Sequence, residues 1–494
     1  MKIISLAINR CMSSKYMIVW VLILGLVLRL VVINQSLWLD EAIGAVAVKN
    51  YSYKGIVSVF LKNDNHPPLY YLTLKFWTDI FGYSELAMRS LSVIFGVGTI
   101  FLTYKIAQKV STNRLFAPLA VLLITTSQLH IYYSQEARMY SMAAFVAALS
   151  IYYFLDLIKN GKSKQFRTWF IFSLTQTALV FVDYIPVFLL PAFWLFALMM
   201  RKSKVWWYKF LLLYIPLCIF GLIWFPTFMV QSEGGRWLLS ILPAWKNIAG
   251  GATVKQALLV WIKFVLGRVS LANKIVYAIF IIAASIPILL TFVKALVSRK
   301  KIGMIWLWFI VPLVLGYITS YFFPAFIYFR FLYVLPAFYL VVAWGAIHIR
   351  GKLTQGIVIV ALIIFNLVSW VYYIVDKKQQ REEWRQATLY VEEQATGGDI
   401  VLFDYPEPIT PYRWYTTGQV NSFGATNSIS ADPKSTEAIT KGLIADVHGV
   451  FYFEYLRDLS DPGHVVEKTL TQSGFNVKNV QNFVEVGQVF YYSR

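Results

Sequence analysis

Residues 16–33 read YMIVWVLILGLVLRLVVI, and at about 1.5 Å per residue a helix of this stretch is about 27 Å long, close to the thickness of a bilayer's hydrocarbon core. Lys2, Arg10 and Lys15 precede it. The run is too long for the apolar region of a signal peptide, and no small-residue cleavage pattern follows, so it predicts a retained first span that starts at the cytoplasmic face. Similar runs recur through the first three quarters of the 494 residues, in a chain that is 58% hydrophobic and only 14% charged. Aromatic residues make up 17% of it and put Trp and Tyr near many run ends, as expected of interfacial belts. The pattern predicts a polytopic, multi-pass protein of the plasma membrane, all-α in its membrane part.

Orientation follows from where Lys and Arg fall. Alternate short loops carry Lys105, Lys109 and Arg114; Lys159, Lys162, Lys164 and Arg167; Arg201, Lys202, Lys204 and Lys209; Lys294, Arg299, Lys300 and Lys301; and Arg350 with Lys352. By the positive-inside rule these loops and the N-terminus are cytoplasmic. The connections near 34–84, 132–138, 183–185, 231–272 and 321–329 are then outside, about eleven spans result, and the C-terminal part is extracytoplasmic. The net charge of +20 reads as topogenic charge in contact with anionic membrane lipids, with no nucleic-acid partner implied. Cys11 and Cys218 suit neither a disulfide nor a metal pair.

Composition changes after the last run, 357–375. Residues 1–375 form the expected membrane domain and 376–494 an extracytoplasmic one. The latter opens on DKKQQREEWRQATLYVEEQ, where Trp384, Ala387, Tyr390 and Val391 recur at helical spacing. A Gly397-Gly398-Asp399 turn, a strand-like run from Ile400 to Phe403, and β-rich pieces at 449–453 and 486–492 follow. The order predicts a small α/β domain. Its Asp404, Glu407, Tyr412, Trp414 and Tyr415 could stack on a sugar, but a place in the domain core is the better reading for most of them.

The candidate site residues lie just outside the spans on one predicted face. The first outer loop, 34–84, is far longer than a connector and carries amphipathic helical patterning, with Ile56, Val57, Val59 and Phe60 set against Lys54, Ser58 and Lys62. In SLWLDEA, Asp40 and Glu41 follow Trp38, an aromatic suited to the headgroup layer. Neighbouring helical residues face apart, so the two acids have different roles, although Asp40 would also serve as a helix N-cap. In DNHPP, Pro67 and Pro68 hold Asp64, Asn65 and His66 on a constrained turn, able to bind a cation, a phosphate or a sugar, or only to hydrogen-bond locally. In YYSQEARMYSM, Glu136 and Arg138 occupy a tight outer turn between two spans, where Arg138 could also simply snorkel. Arg330, Arg236 and Lys246 are further cations on this face.

Carboxylates and guanidinium groups beside apolar walls at an interface suit a lipid-phosphate donor. Its chain lies in the membrane, its phosphate meets arginines, and its attached group projects outward. In glycosyl transfer a carboxylate takes the proton of an acceptor hydroxyl as it attacks the anomeric carbon, while cations or a metal stabilise the departing phosphate.

The ordered segments LRLVVINQSLWLDEA, DNHPPLYYLTLKFW, FGYSELAMRSLSVIFGV, YYSQEARMYSM, FRFLYVLPAFYLVVAWG and REEWRQATLYV resemble the polytopic glycosyltransferases of the GT-C class, in the branch related to protein O-mannosyltransferases and the lipid A aminoarabinose transferase. The resemblance spans the chain and is most specific in its first 145 residues. It implies a GT-C-like membrane domain with amphipathic outer-loop helices, a polyprenyl-phosphate-linked sugar donor, an extracytoplasmic acceptor, and an essential acid in the first outer loop. That acid is Asp40. Glu136 matches a second acidic position, with Glu41 kept as a further catalytic candidate; His66 matches the histidine of the HPP motif. Asp64, His66, Arg138 and Arg330 are the candidate donor-phosphate residues. A divalent cation, Mg or Mn, is used by some members of the class and not by others. One departure is Phe331 after Arg330, where relatives commonly carry Tyr. A lipid-linked polysaccharide polymerase or ligase differs mainly in acceptor; a transporter would place its ionisable groups nearer the midplane, and a scaffold would not need the motif set.

Overall fold

The computed structural model describes residues 16–159, 165–243, 245, 249–297 and 302–494. Lys2, Arg10, Cys11, Lys15, Lys162, Lys164, Lys246, Arg299, Lys300 and Lys301 lie outside them. The chain forms two compact units, one of Met1–Ile33, Tyr51–Glu233 and Ala249–Val375, the other of Asn34–Asn50, Gly234–Ile248 and Asp376–Arg494.

The first unit is helical. Among the described residues six helices are long and apolar enough to cross a membrane: Glu85–Val110, Tyr140–Lys159, Lys204–Ile241, Lys274–Val297, Tyr328–Ala346 and Lys352–Val375. A bent pair, Phe116–Thr126 and Gln128–Ser134, makes a seventh if it is one span. Met17–Leu30, Phe166–Val182, Ile185–Met199 and Gly303–Thr319 are shorter apolar helices, so length alone does not establish the expected eleven. The first apolar run illustrates why: its helix stops at Leu30 because Val31 is extended and Val32 takes a positive φ of 52°, leaving the last residues of the run non-helical.

Burial separates a centre from a periphery. The apolar window of Tyr328–Ala346 is 89% buried and that of Tyr140–Lys159 72%, against 17% for Lys204–Ile241. The central helix is admitted by a glycine. A Cβ on Gly345 would stand 1.8 Å from the Thr291 carbonyl oxygen, so here the Leu335–Ala346 and Lys274–Val297 helices touch through backbone, the close approach that small residues permit between membrane helices.

The bent pair breaks at Ser127 by 60°. A helix end leaves its last carbonyls without intrahelical partners, and in an apolar interior these must be satisfied by protein. Asn366 Nδ2 donates to the Leu123 carbonyl at 3.1 Å, and the fully buried Arg29 donates to the Thr125 carbonyl at 3.4 Å, to Gly25 O at 2.9 Å and to Ser134 Oγ at 3.2 Å. Another Arg29 nitrogen lies 2.5 Å from His130 Nδ1. Gln135 Nε2 in turn donates to Arg29 O and Val31 O, at 2.9 and 2.6 Å, covering the end of the first helix.

The second unit holds a mixed five-stranded sheet of order β2-β1-β3-β5-β4, with β1 Ile400–Phe403, β2 Asn421–Gly424, β3 Gly449–Phe453, β4 Asn476–Phe483 and β5 Gly487–Ser493. β2, β1 and β3 run parallel, β5 and β4 antiparallel. The central strands are buried on both faces, as parallel strands between helices are. Val401, Phe403, Phe451 and Phe453 pack on Trp384, Ala387 and Val391 of the Trp384–Gln394 helix, while Ile400, Leu402, Val450 and Tyr452 pack on Ile444, Val466 and Leu470. The expected helix, turn and strand are therefore present, and Tyr412 is core. So is Asp404, just beyond β1, whose carboxylate accepts the Tyr452 hydroxyl and which burial pushes up to about 7. Leu39–Asn50 is a helix of this same unit.

Because the carbonyl opposite Gly345 belongs to backbone and cannot rotate away, Gly345→Val is expected to lower stability by about 1–3 kcal/mol, read as a lower melting temperature of the purified protein in detergent.

Candidate active site

In the helical unit the sequence candidates 64–66 and 138 come together. The Tyr53–Asn63 stretch is helical with a π turn at Ile56–Phe60, and a new helix, Pro68–Phe81, starts after Pro67 in extended conformation. The prolines thus place Asp64 and His66 in the gap between two helices, as read from the sequence. His66 Nδ1 lies 3.1 and 3.2 Å from the two oxygens of Asp64, and Arg138 Nη2 reaches His66 Nε2 at 3.3 Å. Arg138 Nη1 also donates to the Tyr71 hydroxyl at 2.9 Å. Burial alone would raise the Asp64 carboxyl, but the adjoining His66 charge and hydrogen bond, with Arg138 and Tyr71 behind them, hold it at about 2.

The turn is anchored from outside its own segment. Gln231 Nε2 donates to Leu61 O at 2.6 Å and His66 O at 3.0 Å, while its oxygen accepts the Tyr184 hydroxyl at 2.5 Å.

Glu136 and Arg138 lie between the helices Gln128–Ser134 and Tyr140–Lys159 and are almost wholly buried, at 1% and 3% exposure. Snorkelling is therefore not what Arg138 does. Tyrosines flank the turn as expected: Tyr133 packs on Tyr140 at 5.4 Å, on Phe329 at 6.0 Å and on Tyr328 at 6.4 Å, and Phe329 on Tyr140 at 5.2 Å. Arg330 follows these rings in the 3-10 turn Tyr328–Val334 and is half-buried. Phe331 is core: a Cβ on Gly316 would stand 2.2 Å from its para carbon, so a tyrosine hydroxyl would have no room there.

Asp40 and Glu41 belong to the other unit. The first helical hydrogen bond runs from Ala42 N to Trp38 O, which makes Trp38 the N-cap and puts Asp40 inside the first turn; the N-cap alternative for Asp40 does not hold. Glu41 is fully buried and Asp40 half-buried. Glu382 accepts from Leu39 N at 3.3 Å.

Among the described residues no group of three His, Cys, Asp or Glu side chains is placed to hold a metal ion. Asp64 and His66 are a single carboxylate and a single imidazole already facing each other, with the Arg138 cation alongside. That set does not fit a divalent cation.

Sequence reasoning passed over Tyr71, Gln231, Arg268 and Glu382. Arg268 stacks over the Tyr132 ring at 4.5 Å, a cation–π contact. Gln231 was visible as a polar residue in an apolar stretch; Tyr71 and Glu382 gave no local signal, since their partners lie far off in the chain.

Residues 65–230 match the family described as dolichyl-phosphate-mannose-protein mannosyltransferase. The matched segment contains His66, Glu136 and Arg138 and ends short of Asp40, Asp64 and Arg330. An uncharacterized protein of Aquifex aeolicus is 27% identical over 176 residues, covering 35% of this chain and only 34% of that relative. Among solved structures, ArnT from Cupriavidus metallidurans bound to undecaprenyl phosphate superposes with a TM-score of 0.61 at 10% identity, over 97% of this chain and 98% of that one. An Archaeoglobus fulgidus oligosaccharyltransferase does so with a TM-score of 0.52 at 14% identity, over 96% and 73%.

Arg138→Ala removes the bonds to His66 and Tyr71 and is expected to cost about 1–3 kcal/mol. Because the Asp64 carboxyl is depressed, its contribution is complete above the ordinary carboxylate range and fades only as pH falls towards about 2. Melting of wild type and variant in detergent at pH 7 should show that gap. By its shared fold and by the family pattern over 65–230, the chain is a multi-pass membrane protein that resembles the GT-C glycosyltransferases.

Proposed function

We propose that the protein is a membrane glycosyltransferase that moves a hexosyl or pentosyl group from a polyprenyl-phosphate donor to a hydroxyl of an extracytoplasmic lipid, glycan or protein. The observation that carries the reading is the Asp64–His66–Arg138 array: a guanidinium bonded to a histidine that a carboxylate holds, on the turn between Tyr133 and Tyr140, whose rings pack on Tyr328 and Phe329, within and at the edge of the segment that matches the mannosyltransferase family. The ArnT structure that shares the fold holds undecaprenyl phosphate, the same chemistry of an isoprenoid chain with a phosphate head.

In the proposed step the acceptor oxygen attacks the anomeric carbon, its proton passes to the Asp40 carboxylate, and the bond from that carbon to the phosphate oxygen breaks with its electron pair. The departing phosphate gains negative charge, which Arg138 and Arg330 stabilise by charge-assisted hydrogen bonds, with Asp64 and His66 orienting Arg138. Glu136 shapes the site, and Glu41, about 100° around the helix from Asp40, stays the further catalytic candidate. The reading takes the four shorter apolar helices as spans beside the seven others, which gives eleven and puts the N-terminus in the cytoplasm and residues 376–494 outside.

The test is transfer of label from a panel of radiolabelled polyprenyl-phosphate sugars to membrane-extract acceptors by the purified protein. Asp40→Asn keeps size and hydrogen bonding but loses basicity, and turnover should fall by about 10²-fold or more, whereas Arg138→Ala should mainly raise the KM for donor. Equal transfer by Asp40→Asn, or no transfer from any donor, would sink the reading.

A further inference from the structure

The segment that carries Asp40 is bound, residue by residue, to side chains and backbone from the far end of the chain. Arg385 Nη2 donates to Asn34 Oδ1 at 3.3 Å and Arg381 N to Gln35 Oε1 at 2.8 Å. Ser36 Oγ accepts from Arg385 N and donates to Gln386 Oε1, both at 3.2 Å. Leu37 N donates to the Tyr415 hydroxyl at 2.7 Å. Leu39 N–H meets Glu382 Oε2 at 3.3 Å, and its side chain packs against the apolar cluster of the sheet that includes Trp384.

That last contact has the geometry of a helix cap supplied in trans. The four N–H groups at the start of a helix lack intrahelical partners, and an N-cap side-chain oxygen ordinarily takes one. Here the N-cap is Trp38, whose indole has no acceptor. The carboxylate of Glu382, 343 residues away in sequence, takes the Leu39 N–H instead, at the end of the helix dipole that favours negative charge. Glu382 is itself held by the Trp384 indole N–H at 2.6 Å and the Tyr455 hydroxyl at 3.1 Å, so two fixed donors aim it at the first turn, one residue from Asp40.

We propose that Glu382 is a positioning residue for Asp40, capping the helix that bears it and so fixing where the Asp40 carboxylate stands; this rests on the reading of Asp40 as the acceptor-activating base. The charge on the cap is adjustable. Burial pushes the Glu382 carboxyl up, its bonds from Trp384, Tyr455 and Leu39 pull it down, and the Asp40 charge adds to the rise, leaving it at about 7. The titratable groups facing it are Asp40 on the loop helix and Tyr455 beyond β3, with Glu485 behind Tyr455. Only the ionised carboxylate accepts charge-assisted bonds at the helix start, so the cap tightens as pH rises through about 7.

The experiment compares full-length wild type, Glu382→Gln, Asp40→Asn and Asp404→Asn in detergent, by hydrogen exchange and by transfer from the polyprenyl-phosphate sugar that the wild type uses. Glu382→Gln should speed exchange of the 37–44 peptide about tenfold while β1 and β3 keep their protection. It should also cut kcat about 10- to 100-fold with donor KM within twofold, and remove a rise in kcat between pH 6 and 8. Asp404→Asn, which alters another acid of the domain that burial pushes up to about 7, should keep that rise. Unchanged exchange at 37–44 overturns the cap whatever the activity, and faster exchange with unchanged kcat and pH profile overturns the positioning role. Asp40→Asn at the wild-type rate overturns the reading beneath it, and is told apart because exchange would still respond to Glu382→Gln.

Discussion

The helical unit depends on one constraint: a broken helix in an apolar interior exposes carbonyls that no lipid can satisfy. The break at Ser127 is made tolerable by Asn366 and by Arg29, whose guanidinium is shared among backbone oxygens, Ser134 and His130. The bend in turn lets Gln128–Ser134 run at an angle to its predecessor and present the Glu136–Arg138 turn to the aromatic rings of 328–329. A guanidinium in the first helix, far in sequence from that turn, is therefore a condition for its existence. A buried charge of this kind persists because several oxygens meet it at once; with only one it would cost more than it returned.

Much of this was legible beforehand, for physical reasons that differ by element. Apolar runs are long-range averages and survive local irregularity, so the membrane class was plain. Where helices break, at Val31 or Ser127, the same averaging hides it, and the number of spans does not follow from the runs. Proline acts on its own neighbours, which is why the constrained turn at 64–66 could be read directly. Arg138 could be singled out as a candidate from its turn, but its burial and its partners Tyr71 and His66 depend on tertiary contacts over 67 and 72 residues. Sequence spacing carries no trace of those.

The soluble unit shows the same division. The Trp384–Gln394 helix and the central strands follow from periodicity, whereas the role of Glu382 does not, because its target lies near the other end of the chain. Asp404 and Tyr412, for which the domain core was already the better reading, are core once the two faces of the sheet are assigned.

Gln231 has a mechanical meaning. It sits on a helix whose apolar stretch is only 17% buried by the rest of the chain, yet its amide grips two carbonyls of the segment that ends in His66. Any tilt of that helix, as bilayers of different thickness impose, pulls on the backbone that aims the imidazole. The lipid composition of the surrounding membrane is thereby an input to the array.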